Sequence, residues 1–156
     1  MKAVVQRVSQ ARVTVSGEVV GAVSAGLVVL LAIGNGDGEE EAKWMARKLA
    51  HLRIFEDDAG KFNRSILDVG GQLLLVSQFT LYGDARKGRR PSFSGAARPE
   101  VAEALIQRVS TLLTQLGVSV SSGRFQEHML VEIHNDGPVT ILLEREPARP
   151  GRQSHE

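Results

Sequence analysis

The chain has 156 residues, 42% hydrophobic and 24% charged, with a formal net charge of +1 and no cysteine. That length suits a single domain burying roughly two-thirds of the surface its unfolded chain exposes, and the composition is that of a folded chain. The missing thiols exclude a disulfide framework, thiolate catalysis and a sulfur-liganded zinc site. A charge so close to neutral argues against a generally basic nucleic-acid coat, so any such binding must come from a local cluster.

The start, Met1-Lys2-Ala3-Val4-Val5-Gln6-Arg7, reaches a second charge before any long apolar run, which is not the shape of a secretory signal. The longest apolar run, residues 27–33, falls far short of the roughly 20 residues that span a bilayer. A cytoplasmic protein without a membrane partner is expected.

In chain order, the first third alternates with period two: Val4, Gln6 and Val8 against Val5 and Arg7, then Val13 and Val15 against Arg12, Thr14 and Ser16. With Gly17-Glu18 as a turn before residues 19–23, this predicts antiparallel hairpin strands. Residues 27–33 are apolar on both faces and predict a central strand, closed by the reversal Gly34-Asn35-Gly36-Asp37-Gly38. That loop lacks the spacing and the terminal Lys-Ser/Thr of a phosphate-binding loop.

A helix is expected over residues 39–52, where acidic residues crowd the first turn and Ala42, Met45, Leu49 and Leu52 recur at steps of three and four. His51 suits its negative end. After residues 53–56, a turn at Asp57-Asp58-Ala59-Gly60 and residues 62–67, Gly70-Gly71 introduces 72–78, whose Leu73-Leu74-Leu75-Val76 predicts a second strand buried on both sides. A second helix is expected over 99–116. Proline suits its first turn, Glu100 and Glu103 its positive end, and Gly117 its stop, with Val101, Leu105, Leu112 and Leu116 on one side.

Residues 118–120, 129–134 and 139–144 read as closing strands. The order predicts an α+β, barrel-like domain over residues 1–144, mainly antiparallel β-sheet covered by two helices. Residues 145–156, with two prolines, a glycine and no apolar periodicity, predict a disordered tail.

Conventional catalytic arrangements are hard to find, since there is no Gly-x-Ser-x-Gly elbow and the four histidines lack diagnostic spacings. His128, Glu132 and His134 share one parity and read as a solvated strand face, so neither a metal nor another cofactor is expected. Two polar runs at strand ends are more informative. Ser77-Gln78-Phe79-Thr80-Leu81 follows a buried strand, bringing hydroxyls, an amide and an aromatic ring to a sheet margin. Asn135-Asp136-Gly137-Pro138-Val139-Thr140 has the composition of a hairpin turn, and Gly-Pro is also a place where a cis peptide costs little. A basic cluster, Arg86, Lys87, Arg89, Arg90 and Arg98, is interrupted by Gly88, Pro91 and Gly95 and so predicts a loop.

Taken together, Ser77-Gln78-Phe79-Thr80-Leu81 and Asn135-Asp136-Gly137-Pro138-Val139-Thr140 resemble the paired signature of the D-aminoacyl-tRNA deacylases. Arg7-Val8, Ala11, Val13, Val15 and Arg90-Pro91-Ser92-Phe93-Ser94 are similar to further segments of that family, and the likeness covers about residues 1–144. It implies hydrolysis of D-aminoacyl-tRNA, and of mischarged glycyl-tRNA, with L-aminoacyl-tRNA rejected. It also implies a homodimer of barrel-like subunits with two interfacial sites, where Ser77, Gln78, Phe79 and Thr80 of one chain face Gly137 and Pro138 of the other. The Gly137-Pro138 bond is then expected to be cis, its carbonyls leaving no room for an L side chain.

Ser77, Gln78, Phe79 and Thr80 correspond to the catalytic run around the ester, with the Phe79 and Thr80 amides stabilising the oxyanion. Asn135 and Thr140 are expected to contact substrate, and Arg86, Lys87, Arg89 and Arg90 to hold phosphates near the tRNA acceptor end. The nucleophile stays open: the Thr80 hydroxyl has no adjacent base, and the resemblance favours water assisted by the 2′-hydroxyl of the terminal adenosine. The expected partner is aminoacyl-tRNA and not DNA. A general esterase using Thr80 or Ser77 is one alternative. A non-catalytic tRNA-binding module is another, although it leaves both strand-end runs unexplained.

Overall fold

A computed structural model describes residues 1–149. A long strand β1 (Lys2–Val15) organises the sheet, together with β2 (Glu18–Val23), β3 (Gly26–Ala32), β6 (Gln72–Ser77), β7 (Ser119–Ser122) and β8 (Leu130–Glu144). The strand order is β2-β1-β3-β6-β7, with β8 on the remaining edge of β1. The first half of β1 lies between β3 and β8, and its second half between β2 and β8. The strand therefore turns the corner of a nearly closed barrel, and at the closing side Gly21 of β2 lies against the backbone of Ser122 in β7.

All ladders of β1 are antiparallel, whereas β3–β6 and β6–β7 are parallel. The helices explain the difference, because a parallel neighbour requires a crossover. Helix α1 (Glu39–His51) lies between β3 and β6, and α3 (Pro99–Gln115) between β6 and β7. A four-residue helix α2 (Ile66–Val69), capped by Ser65 Oγ accepting from Asp68 N, adds a third helix to the two expected.

The expectation that β3 and β6 are buried on both faces holds. Leu27, Val29, Leu31, Leu73 and Leu75 face one core with Met45, Leu49 and Leu113 of the helices. Val28, Leu74 and Val76 face a second core with Val8, Val13 and Val23. Each such fully buried aliphatic side chain contributes about 1.5–3 kcal/mol relative to exposure.

Helix α1 carries Glu39, Glu40 and Glu41 in its first turn and Lys48 and His51 in its last, matching the helix dipole. In α3 the buried stripe is Ala102, Val109 and Leu113, with Leu105 and Ile106 partly covered, while Val101 and Leu116 are exposed. The expected stripe was thus rotated by about one residue, because packing on α1 selects which apolar residues turn inward.

Between α1 and α2, β4 (Phe55–Glu56) and β5 (Phe62–Arg64) form a separate small hairpin. Its turn is held by Asp57 Oδ1, which accepts from Ala59 N and Lys61 N at 2.9 and 3.0 Å. Five residues of the expected tail are described, and they lie on the domain. The Arg145 amide donates to Met1 O, its guanidinium stands 5.8 Å from the Trp44 ring centroid, and Pro147 lies beside Gly36. Residues 150–156 of that expectation lie outside the described residues.

Candidate active site

The polar run after β6 begins where pairing with β3 ends. Gln78 N donates to Leu31 O at 2.8 Å, and the chain then tightens into a 3₁₀ turn, Phe79–Tyr82, with Gly83 N donating to Thr80 O. The first amides of a helical turn have no acceptor within it, so this turn leaves the Phe79 and Thr80 N–H groups unused. The Gln78 side-chain amide donates to Thr80 Oγ1. An amide nitrogen that donates takes no proton, so this contact does not activate Thr80 as a nucleophile.

Ser77, Gln78 and Phe79 open onto a cavity of about 620 Å³ that also touches Ile33, Phe93 and His128. Phe79 is 54% exposed and meets Phe93 edge to face, with ring centroids 5.3 Å apart.

Phe93 belongs to the basic loop, which is therefore placed beside Ser77–Thr80. Asp84 and Ser92 exchange backbone hydrogen bonds of 2.7 and 2.9 Å across the loop. Its far end is fixed by Asn35, whose Nδ2 donates to Ser94 O and whose amide donates to Gly95 O, so the glycine-rich reversal supports this loop. Within the loop, Arg86 has a partner of its own. Its guanidinium forks onto Asp84 at 2.8 and 2.9 Å and holds that carboxyl well below its ordinary range, at about 2. Arg86 is thus already paired, whereas Lys87, Arg89 and Arg90 are exposed without an ion pair among the described residues.

The second motif does not form the hairpin turn its composition suggested, because β8 continues in one direction through it. Gln6 pairs with Thr140 and Val8 with Asn135, so one residue of β1, Arg7, faces four of β8, residues 136–139. These four bulge outward, and the Gly137-Pro138 peptide within them is cis.

Arg7 occupies the gap and is 9% exposed. Its Nε donates to Asp136 O at 2.8 Å and its Nη1 to Ile54 O at 3.0 Å; Nη2 stands 3.9 Å from Glu56, and the guanidinium lies over Phe62. The small β4–β5 hairpin thus buttresses the bulge through Arg7. This role of Arg7 goes beyond the family likeness of Arg7-Val8; an arginine among the apolar residues of a half-buried strand was the available signal.

Asn135 closes the bulge from its other side. Its Oδ1 accepts from Val139 N at 2.8 Å, and its Nδ2 donates to Val139 O and Thr140 Oγ1 at 3.2 Å. Thr140 Oγ1 also accepts from Gln6. Asn135, expected to contact substrate, uses both ends of its amide within the chain, where it shapes the loop.

Within one chain the two motifs do not share a cavity. Asp136, Gly137 and Pro138 are exposed, and none of them borders the space beside Ser77. Glu132 is forked onto Arg12, while His134 Nδ1 is 3.4 Å from Gln10 Nε2. Among the described residues no three His, Cys, Asp or Glu side chains converge as metal ligands, and no helix is long and apolar enough to cross a membrane.

The profile of the D-Tyr-tRNA(Tyr) deacylase family matches residues 4–144. A protein of Roseiflexus sp. (strain RS-1) named D-aminoacyl-tRNA deacylase is 59% identical over 155 residues, 99% of this chain and all of its own. One of the same name from Heliobacterium modesticaldum is 59% identical over 144 residues, 92% of this chain and 96% of its own. A solved c-Myc DNA Unwinding Element Binding Protein superposes with a TM-score of 0.89 at 44% identity, covering 95% of this chain and 100% of that one. A "probable eukaryotic D-amino acid tRNA deacylase" shares the fold, with a TM-score of 0.78 at 19% identity over 91% of this chain and 97% of that one.

Proposed function

The chain belongs to the D-Tyr-tRNA(Tyr) deacylase family, and from that membership and the geometry of its two motifs we propose that it hydrolyses the ester of D-aminoacyl-tRNA, and of glycyl-tRNA, while sparing L-aminoacyl-tRNA. The observation that carries this reading is the four-residue bulge opposite Arg7, which presents Gly137 and Pro138 on a fixed, exposed loop. A rigid backbone loop selects by excluding a side chain and not by gripping one, so it accepts many D residues.

The ester is held over Ser77, Gln78, Phe79 and Thr80, with the Phe79 and Thr80 amides facing the developing oxyanion. Water, assisted by the 2′-hydroxyl of the terminal adenosine, attacks the carbonyl carbon. The tRNA leaves through its ribose oxygen, and a free D-amino acid is released. An aminoacyl ester is reactive enough for positioning and a few donors to suffice. Lys87, Arg89 and Arg90 take phosphates near the acceptor end.

The complete site is proposed to be a homodimer's, each filter loop serving the partner's cavity beside Ser77, Gln78 and Phe79. Two features support this: the loop and the cavity are apart within one chain, and among the described residues β8 pairs on one edge only while exposing Leu130 and Leu142 at 62% and 76%. An open strand edge with apolar side chains favours association. A cytoplasmic location is part of the same proposal, since a tRNA substrate belongs to translation.

Deacylation of matched D- and L-aminoacyl-tRNA by the purified protein tests the activity. Release of the D but not the L amino acid is expected; equal release of both, or of neither, would refute it.

A further inference from the structure

A second basic surface lies away from the 86–98 loop. Trp44, Arg47, Lys48, His51, Leu52 and Arg53 line a shallow depression of about 390 Å³ at the C-terminal end of α1. Arg47, Lys48, His51 and Arg53 are exposed, and none forms an ion pair among the described residues. Lys48 and Arg145 both approach the Trp44 ring, at 5.5 and 5.8 Å from its centroid. The negative end of a helix accounts for Lys48 and His51, but not for Arg53, which lies beyond the helix.

Position gives the cluster its meaning. Arg53 directly precedes Ile54, whose carbonyl accepts from Arg7, and Arg7 holds Asp136 of the filter loop. The cationic surface therefore begins one residue from the buttress of the loop and runs back along α1. In a chain of net charge +1, exposed cations gathered around one depression are complementary to a polyanion.

We propose that Arg47, Lys48 and Arg53 form a phosphate-binding surface that holds the tRNA body behind the filter loop. The assignment rests on the tRNA substrate proposed above. It makes each tRNA straddle two basic regions, the 86–98 loop near its acceptor end and this surface further along the backbone.

Binding of uncharged tRNA across a salt series tests it, comparing the wild type with a triple variant Arg47→Ala, Lys48→Ala, Arg53→Ala and with Lys43→Ala, a charge on the same helix beside Glu40. Alanine suits the exposed helix positions 47 and 48, and a parallel set with glutamine at the three positions serves if the alanine set melts early. The triple variant is expected to bind about tenfold more weakly, with a salt slope lower by roughly 0.9 for each lost phosphate contact, while Lys43→Ala changes little.

Unchanged affinity and slope in the triple variant would overturn the assignment. So would an equal loss per charge in Lys43→Ala, or tighter binding of a duplex DNA than of tRNA through the same residues. Because uncharged tRNA carries no ester, binding through this surface by a protein that cleaves no D-aminoacyl-tRNA would uphold the surface and remove the proposed activity.

Discussion

Arg7 and Asp136 are 129 residues apart in sequence, yet Arg7 Nε donates to the Asp136 carbonyl at 2.8 Å from the one position of β1 that faces the bulge. The same guanidinium binds the Ile54 carbonyl, so two segments that never pair as strands are fixed to each other through one side chain. The exposed loop 136–138, proposed above as the chiral filter, is held by this buried fork.

Arg7→Lys tests the fork. Lysine keeps the charge but is a point donor that cannot meet both carbonyls in the same geometry, and one buried carbonyl left without a partner costs about 1–3 kcal/mol. A folded protein with a melting point several degrees lower is expected, with kcat/KM on D-aminoacyl-tRNA reduced at least tenfold. Wild-type kinetics with an unchanged D-over-L ratio would show that the loop keeps its shape without the fork.

Gly137 has φ +150°, and a Cβ there would stand 2.7 Å from Val139 Cγ2, 2.8 Å from Val139 N and 3.3 Å from Arg7 Nη2. Two of those neighbours are parts of the bulge itself. Gly137→Ala is therefore expected to cost about 1–3 kcal/mol in thermal or denaturant unfolding and to abolish most D-aminoacyl-tRNA turnover. A stable variant with full turnover would separate the loop conformation from the chemistry.

Thr80 Oγ1 accepts from the Gln78 amide, and no base among the described residues bonds to it. Thr80→Ala, which retains the backbone N–H, should keep kcat within about tenfold. A fall of some thousandfold, the size expected for loss of a true nucleophile, would restore a Thr80 mechanism.

The pairing of Arg86 with Asp84 separates it from the other cations of its loop. Arg89→Ala should lower the salt slope of tRNA binding by about one, as for a phosphate contact, whereas Arg86→Ala should change it by much less. Equal effects would mean that Asp84 releases Arg86 on binding. Because the Asp84 carboxyl is depressed, first by its side-chain bond from Arg86, the pair's contribution is in place above the ordinary aspartate range and is lost as pH falls through about 2. A carboxyl titration of Asp84 by NMR with its midpoint near 4 would contradict the pairing.

Turnover should persist in a chelator. Glu132 is engaged by Arg12, His134 lies beside Gln10, and no other donors converge among the described residues. Activity lost in chelator and restored by a divalent cation would identify ligands that this arrangement does not bring together.

The readable parts of this protein were those whose cause is local. Leu73-Leu74-Leu75-Val76 announces a strand covered on both faces because any such run must bury both its parities, and the acidic first turn of α1, Pro99 and Gly117 mark helix ends through effects within one turn. The run from Ser77 to Leu81 and the one from Asn135 to Thr140 could be recognised together because their identity lies in residue type and order. The tertiary structure alone decided how those residues are used. Whether Asn135-Asp136-Gly137-Pro138 reverses the chain or bulges within a strand depends on its register against β1, more than 120 residues earlier, and no local propensity encodes that distance. The inward stripe of α3 is chosen by α1, and Arg7, an arginine among apolar strand residues, shows its role only once the Ile54 and Asp136 carbonyls are brought to it. A side chain's partners are set by packing between segments remote in sequence, which is why the motifs could be named from the chain while their support could be seen only in the fold.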